Sequence, residues 1–195
     1  GSEPETPASE IVRLSAHPKI VAIGETGLDY YYGHSPREAQ QRNFRAHIVA
    51  ARETGLPLIV HARDADTDTA DILEDEMKNG TFPGLIHCFT AGPELAKRVL
   101  DIGFYISISG IATFKNAETL RQTILTVPED RLLVETDSPY LAPIPHRGKR
   151  NEPSFVADTA VALADLFDTN FETLAARTTD NFYRLFTKAP SREIA

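Results

Sequence analysis

The chain has 195 residues, of which 42% are hydrophobic and 25% charged, a profile typical of a globular protein with one domain or at most two. Its 28 acidic and 20 basic side chains give a formal net charge of -8, which excludes a protein-wide basic surface for nucleic acid or anionic membrane. A polyanionic partner therefore has to be held locally, by a small basic cluster or a bound cation.

The composition also restricts the cellular setting. The single Cys88 excludes an internal disulfide and predicts a reducing compartment, so we expect a cytoplasmic protein. No stretch approaches the roughly 18 consecutive apolar residues of a membrane-spanning helix, and no charged-then-apolar leader opens the chain. Gly1 and Ser2 are interpreted as a cloning scar, and residues 3–195 as a single domain. Because the chain has no initiating Met and starts with an acidic, proline-broken segment, we expect a fragment of a longer protein.

The first predicted elements are a short helix over residues 9–16 and a buried strand over residues 20–23. The strand is a continuous apolar run that ends at Gly24, so the carboxylate of Glu25 is expected to follow it at once. Next, residues 35–38 contain a capping box with proline at the first helical position, which predicts a helix running to the glycine at 55.

This unit of strand and helix then repeats. The further strands are apolar runs at 58–60, 85–86, 104–109 and 132–134, and helices with apolar residues at helical spacing follow them. Strands that are apolar throughout indicate a parallel sheet covered by helices. Two architectures are possible, an open doubly wound sheet or a (β/α)8 barrel. A complete barrel needs eight strands and about 250 residues, so five strands favour an incomplete barrel or a small open sheet.

Potential metal ligands follow four of the five predicted strands, and they are Glu25, His61, His87 and Asp137. In both architectures the carboxyl ends of the strands meet at one edge, where functional groups collect. A single histidine in such a place is more often a hydrogen-bonded structural residue. Four such residues together indicate a metal site, since imidazole and carboxylate suit zinc, manganese or magnesium.

The motifs around these residues resemble those of TatD-type metal-dependent deoxyribonucleases, and they occur in the same order. They are Gly-Glu-Thr-Gly-Leu-Asp-Tyr at 24–30, Leu-Pro-Leu-Ile-Val-His-Ala-Arg-Asp-Ala at 56–65, His-Cys-Phe-Thr at 87–90, Tyr-Ile-Ser-Ile-Ser-Gly at 105–110, Glu-Thr-Asp-Ser-Pro-Tyr-Leu-Ala-Pro at 135–143, Arg-Gly-Lys-Arg-Asn-Glu-Pro at 147–153 and Asn-Phe-Tyr-Arg-Leu-Phe at 181–186. The resemblance covers nearly all of the chain from residue 20 to residue 186.

This resemblance implies a (β/α)8 TIM-type barrel of the amidohydrolase superfamily, with two divalent cations at its carboxyl-end mouth, that cleaves phosphodiester bonds of DNA. Glu25 would bridge the two metals, and His61 and His87 would bind one of them. Asp137 would bind the other metal and take the proton of the attacking water. Two cations suit this chemistry, because one can lower the pKa of a bound water while both stabilise charge on the phosphoryl oxygens.

The chain also departs from the pattern of the family. These enzymes begin with a His-x-His pair at the end of their first strand, and no such pair occurs here. The alignment of motifs therefore predicts an incomplete barrel of about five βα units without its first three strands. We expect one metal site to keep three protein ligands and Asp137 to lack partners. The exposed edges at 20–23 and 132–134 predict a homodimer, a domain swap or a separately supplied segment.

Several residues are candidates for binding DNA. Arg147, Lys149 and Arg150 form the densest basic cluster and could grip a phosphate backbone, although such a run is also typical of a solvated loop. Tyr30, with the two tyrosines after it, could stack on bases or pack around the barrel mouth. Arg63 could position substrate or orient a ligand.

Two further residues lie beside predicted ligands. Glu135 is interpreted as a buried, paired group rather than a direct ligand. Cys88 is interpreted as a buried structural thiol, because adjacent strand residues face opposite sides. The alternatives to a DNase are hydrolysis of an amide, ester or lactone with the same metals, or an inactive metal-binding fragment.

Overall fold

A computed structural model of the chain describes residues 5–190. The strands are β1 (Ile23–Asp29), β2 (Leu58–Arg63), β3 (Gly84–Ile86), β4 (Tyr105–Ile108) and β5 (Leu132–Val134). The helices are α1 (Ala8–Ser15), α2 (Arg37–Thr54), α3 (Asp66–Met77), α4 (Pro93–Asp101), α5 (Glu118–Ile124), α6 (Val156–Leu166) and α7 (Phe171–Leu185). Across residues 5–190, none of these helices combines the length and the apolar character needed to cross a membrane.

The five strands form one sheet in the order β1-β2-β3-β4-β5, and every neighbouring pair is parallel. The predicted parallel sheet with helices between its strands is therefore confirmed. Since all strands run the same way, their carboxyl ends lie along one edge. Every predicted metal ligand is at or near that edge.

The first strand differs from its prediction. It was expected over residues 20–23, but β1 spans Ile23–Asp29 and includes the two glycines that resemble a turn in the sequence. Gly27 has a φ of 138°, and a Cβ at this position would collide with the backbone oxygen of His61 on β2. The glycine therefore permits close approach of the two strands. As a result Glu25 lies within β1 rather than after it.

The start of α2 also corrects a prediction. Pro36 occupies the N-cap position and no side chain caps the helix, so the predicted capping box does not form. The backbone oxygen of Ser35 instead accepts a hydrogen bond from Gln40 Nε2 at 3.0 Å. The predicted end is confirmed, because Gly55 adopts a left-handed conformation with φ of 69°.

Apolar side chains pack on both faces of the sheet, which explains why its strands are apolar throughout. The larger cluster lies between the sheet and helices and contains Phe44, Ile48 and Ile106. On the other face, a smaller cluster includes Tyr105 of β4 and Phe186, which directly follows α7. The neighbours Tyr105 and Ile106 thus point to opposite sides of the same strand, as the pleat requires.

Candidate metal centre

Strands β1, β2 and β3 bring three of the predicted ligands together. Glu25 lies on β1, His61 lies on β2, and His87 directly follows β3. Glu25 Oε1 is 3.1 Å from His61 Nδ1 and 3.4 Å from His87 Nε2. Each of these residues offers a donor atom, and the three atoms lie within 4.8 Å of one another. We refer to these three residues as the first group.

Each histidine of the first group has a second carboxylate on its other ring nitrogen. Asp29 Oδ2 is 3.3 Å from His61 Nε2, and Glu135 Oε1 is 2.8 Å from His87 Nδ1. Metal-binding histidines commonly have such a partner, which fixes the tautomer and the orientation of the ring. The position of Glu135 agrees with its interpretation as a paired group.

Sequence reasoning missed Asp29. A signal for it was present, because residues 25 and 29 are four apart on one strand and therefore share a face. Gly27 lies between them on that face and adds no side chain.

The ionisation of the first group is coupled. Hydrogen bonds from His61 and then His87 hold the pKa of Glu25 far below its usual range. The bond to Glu25 raises the pKa of His61, against the effect of burial. Burial alone would lower the pKa of His87, but Glu135 and Glu25 outweigh it and raise that pKa to about 10. Without a cation, the neighbouring carboxylates therefore favour the protonated form of both imidazoles.

These residues fit a divalent cation. Two imidazole nitrogens and a carboxylate oxygen are a donor set that zinc and manganese accept. The carboxylates around the two rings, from Glu25, Asp29 and Glu135, leave negative charge for a cation to neutralise. Within residues 5–190, the buried Glu135 Oε1 also accepts no hydrogen bond of good geometry, despite its short distance to His87. A metal ion in the first group would displace protons from the imidazoles.

A second group contains Asp137, His87 and Glu135, whose donor atoms also lie within 4.8 Å of one another. Asp137 thus has two potential ligands beside it, although neither belongs to the His-x-His pair that the resemblance implies. It follows β5 by three residues and adopts a left-handed conformation with φ of 56°. Burial raises the pKa of its carboxyl group.

Asn151 holds the turn that carries Asp137. Its side-chain Nδ2 donates to the backbone oxygens of Thr136 at 2.7 Å and Tyr140 at 2.6 Å. Its backbone N–H donates to the oxygen of Pro139 at 3.1 Å. The residue is only 2% exposed, so water competes little for these bonds. Sequence reasoning missed this role, which only the tertiary contact reveals.

The position of Cys88 corrects its prediction. Residue 88 lies beyond the end of β3 and has a φ of 43°, so the alternation of strand side chains does not apply to it. Its Sγ is 3.1 Å from Ser109 Oγ and 3.7 Å from Asp137 Oδ2, at the wall of the metal centre. Burial raises the pKa of the thiol to about 12, so it stays protonated and is a poor nucleophile.

A cavity of about 650 Å³ opens over the first group and Asp137. Arg63 lines it, with its guanidinium 4.1 Å from the ring centre of Tyr31 and 4.7 Å from that of Tyr32. Tyr32 and Tyr140 also line the cavity. The structure therefore brings Arg63 to the candidate ligands, as the sequence predicts.

Other predicted substrate-binding residues lie elsewhere. Tyr30 donates from its hydroxyl to Asp68 at 2.7 Å and accepts from Gln41 at 2.9 Å, so it packs between α2 and α3. Its predicted role in stacking on bases is not supported, because its polar tip is engaged within the fold and the ring does not line the cavity.

The basic cluster of Arg147, Lys149 and Arg150 follows the Asp137 turn but is absent from the described lining of the cavity. Arg147 lies with its guanidinium 3.7 Å from the ring centre of Phe114. The cluster therefore does not contribute to the wall of this cavity.

Comparison with known proteins shows a family for nearly the whole chain. The family model described as TatD related DNase matches residues 2–187. The uncharacterized metal-dependent hydrolase YcfH of Escherichia coli K12 is 55% identical over 177 residues, which cover 91% of this chain and 66% of that protein. The uncharacterized metal-dependent hydrolase YabD of Bacillus subtilis is 47% identical over 90% of this chain and 69% of its own length. The chain thus spans about two thirds of the length of these relatives.

A further relative is named for an activity on nucleic acid. The 3'-5' ssDNA/RNA exonuclease TatD of Citrobacter rodentium is 35% identical over 90% of this chain and 68% of that protein. Among solved structures, the TatD homologue YjjV of Escherichia coli superposes with a TM-score of 0.84 at 27% identity, covering 92% of this chain and 70% of that chain. A TatD family hydrolase from Entamoeba histolytica matches in fold, with a TM-score of 0.80 at 22% identity. The fold is therefore TIM-barrel-like α/β.

Proposed function

Since this chain belongs to the TatD related DNase family, we propose that it is a metal-dependent hydrolase that cleaves phosphodiester bonds of DNA. The observation that carries the proposal is that one donor atom each of Glu25, His61 and His87 lie within 4.8 Å of one another, and that all three residues line one cavity. The Citrobacter rodentium relative, named an exonuclease for single-stranded DNA and RNA, supports nucleic acid as the substrate class.

The first group would hold one divalent cation, which is zinc, manganese or magnesium by its donor set. Asp137 would help to hold a second cation in the second group, which it forms with His87 and Glu135. When bound, such cations lower the pKa of a water molecule and neutralise charge on phosphoryl oxygens. Asp29 and Glu135 keep His61 and His87 in orientation. Asp137, held by its turn at the cavity wall, accepts the proton of the attacking water.

Substrate binding has to overcome the net charge of -8. The cavity therefore needs local positive charge for a phosphate, which a bound cation and Arg63 would supply. Stacking against Tyr31 and Tyr32 orients the Arg63 guanidinium while leaving its N–H donors free of carboxylates within residues 5–190. Arg147, Lys149 and Arg150 would contact phosphates farther along the strand.

The test is cleavage of an end-labelled single-stranded oligonucleotide by the purified chain with added Zn²⁺, Mn²⁺ or Mg²⁺, under single-turnover conditions. We expect cleavage that EDTA stops and that Asp137→Ala reduces at least a hundredfold. Asp101→Ala is the matched control, because it removes an exposed carboxylate that pairs with Lys97 on α4.

Two results would contradict the proposal. Hydrolysis of esters, amides or lactones without any cleavage of phosphodiesters would assign a different substrate class. Tight metal binding without turnover on any substrate would identify a metal-binding protein that is not an enzyme in this form.

The proposal includes pairing of two copies through the edge of β1. This strand has a neighbour on one side only among the described residues, although Gln40 bonds to the backbone of Asp29 at its end. The opposite edge is less accessible than the sequence predicts, because Asn181 Nδ2 donates to the oxygen of Leu132 at 2.8 Å. Light scattering over a range of concentrations tests the pairing, and a monomer at the highest concentration would contradict it.

A further inference from the structure

The most exposed large hydrophobic side chains of residues 5–190 lie at the metal-centre end of the sheet. They are Tyr140, Tyr31 and Tyr32, which are 70%, 59% and 55% exposed. Tyr31 and Tyr32 come from the loop after β1, and Tyr140 comes from the loop after β5. Isolated exposed rings are ordinary on protein surfaces, but rings gathered around a cavity mark a binding surface.

Tyr140 is exposed yet firmly held. Its backbone N–H donates to the oxygen of Asp137 at 2.9 Å, and its own backbone oxygen accepts from Asn151 Nδ2 at 2.6 Å. The buried Asn151 also bonds to Thr136, on the other side of Asp137. The side-chain amide of Asn151 thus fixes the distance between the backbone at Asp137 and the backbone at Tyr140. A ring on such a fixed backbone loses little entropy when it binds a partner.

The Tyr140 ring is also available. Tyr31 and Tyr32 pack edge to face, Arg63 lies over both, and His34 stacks on Tyr32 at 5.2 Å between ring centres. Tyr140, by contrast, has no aromatic or cationic neighbour over its ring within the described part of the chain. Tyr140 is among the residues that line the same cavity as Glu25 and Asp137.

We infer that Tyr140 is a stacking platform for the nucleobase adjacent to the phosphodiester that is cleaved. Asn151 holds Tyr140 at a fixed distance from Asp137. The inference rests on the proposed function and identifies how the site selects its substrate. Every base has a flat face that stacks on an aromatic ring, so recognition is independent of sequence. A base within a duplex has both faces covered by its neighbours. The platform therefore favours single-stranded ends over duplex.

Two measurements test this inference. The first compares KM and kcat for a single-stranded oligonucleotide with those for the same strand carrying an abasic residue next to the cleaved bond. In the wild type we expect the base to lower KM by about tenfold, as stacking on one aromatic ring predicts. Tyr140→Ala should abolish this difference, Tyr140→Phe should restore it, and Phe171→Ala, which removes an exposed ring on α7, should leave it intact.

The second measurement detects stacking without turnover. A 2-aminopurine at the end of a single-stranded oligonucleotide should lose fluorescence on binding to the wild type and to Tyr140→Phe, but not on binding to Tyr140→Ala. Calcium can be used as a non-catalytic divalent cation.

The outcomes separate this inference from the proposed function. Quenching that depends on Tyr140, in a protein that cleaves no phosphodiester, would support the platform and contradict the proposed function. Two results would overturn the inference. One is binding of the oligonucleotide to the wild type without quenching, and the other is a Tyr140→Ala variant whose KM rises equally for the base-bearing and the abasic strand.

Discussion

The two groups of candidate ligands are held in place by different means. The first group, Glu25, His61 and His87, is carried by three adjacent strands whose backbones are hydrogen-bonded to one another. In the second group, Asp137 is carried by a turn in which backbone bonds and one amide side chain replace the sheet. Positions set by a sheet are stabilised by many bonds at once, whereas the turn depends on a few. The second group should therefore be the easier one to disturb without unfolding the protein.

The largest expected effect is loss of a donor from the first group. His61→Ala or Glu25→Ala should weaken Zn²⁺ or Mn²⁺ binding by more than about a hundredfold, because each removes one of three donors within 4.8 Å of one another. Isothermal titration calorimetry measures the change, and circular dichroism confirms that the fold is kept. Near-wild-type affinity in both variants would show that the first group is not the principal metal site.

A smaller effect is expected from loss of an orienting carboxylate. Asp29→Asn keeps the size of the side chain but removes the charge beside His61, and metal affinity should fall about 10- to 100-fold. Asp68→Asn is the matched control, since its carboxylate accepts from Tyr30 and lies in neither group. Equal affinities in the two variants would mean that Asp29 has no influence on the first group.

The comparison is sharpened by a change confined to the turn that carries Asp137. Asn151→Ala removes both side-chain bonds to the Asp137 turn, and we expect kcat to fall on the order of tenfold through misplacement of the carboxylate. Metal affinity of the first group should change less than twofold. Asn151→Asp should behave like alanine, because a carboxylate cannot donate to the oxygens of Thr136 and Tyr140. An aspartate variant with wild-type kcat would show that these bonds are not what positions Asp137.

The smallest effect concerns the helices behind β1 and β2. The buried Glu76 on α3 accepts from Arg52 at 2.8 Å and Arg45 at 2.6 Å on α2. Burial alone would raise its pKa, but these bonds outweigh burial and lower it. The ionised form of Glu76 therefore stabilises the folded protein at every pH above the unfolded-state pKa of about 4.3. This stabilisation is lost as the pH falls through the folded-state pKa, which is lower.

Urea denaturation of wild type and Glu76→Gln measures this contribution. We expect the free energy of unfolding to fall by about 1–2 kcal/mol at pH 7, and the difference between the proteins to shrink at about pH 3. Metal affinity at pH 7 should stay the same in both. A difference that is constant with pH would show that the charge of Glu76 contributes nothing.

Much of the fold was predictable because its main signal is local. Strand β5 matches its predicted bounds, and β2, β3 and β4 overlap theirs, because an apolar run between turn residues has few alternatives. Strand β1 was misplaced because Gly27 resembles a turn residue in the sequence. In the structure it permits contact with β2, a requirement that only the partner strand reveals.

The candidate site was predictable to a similar degree. Histidines that follow apolar runs could be placed at one edge of the sheet. Asp29 could have been found from the strand face that it shares with Glu25, whereas Asn151 acts through contacts that leave no local pattern in the sequence. Three consecutive tyrosines gave no indication that Tyr30 would turn inward while its neighbours stay exposed. The direction of Cys88 depends on a left-handed backbone that no neighbouring residue requires.

The absence of a side chain at Gly27 affects the geometry of the candidate metal centre. Its missing methyl group lets the backbones that carry Glu25 and His61 approach each other, and so sets how far apart an oxygen and a nitrogen donor lie. A wider spacing of the two strands would suit a larger cation, or none. A residue that offers no donor atom would therefore help to determine the radius of an ion bound by Glu25 and His61.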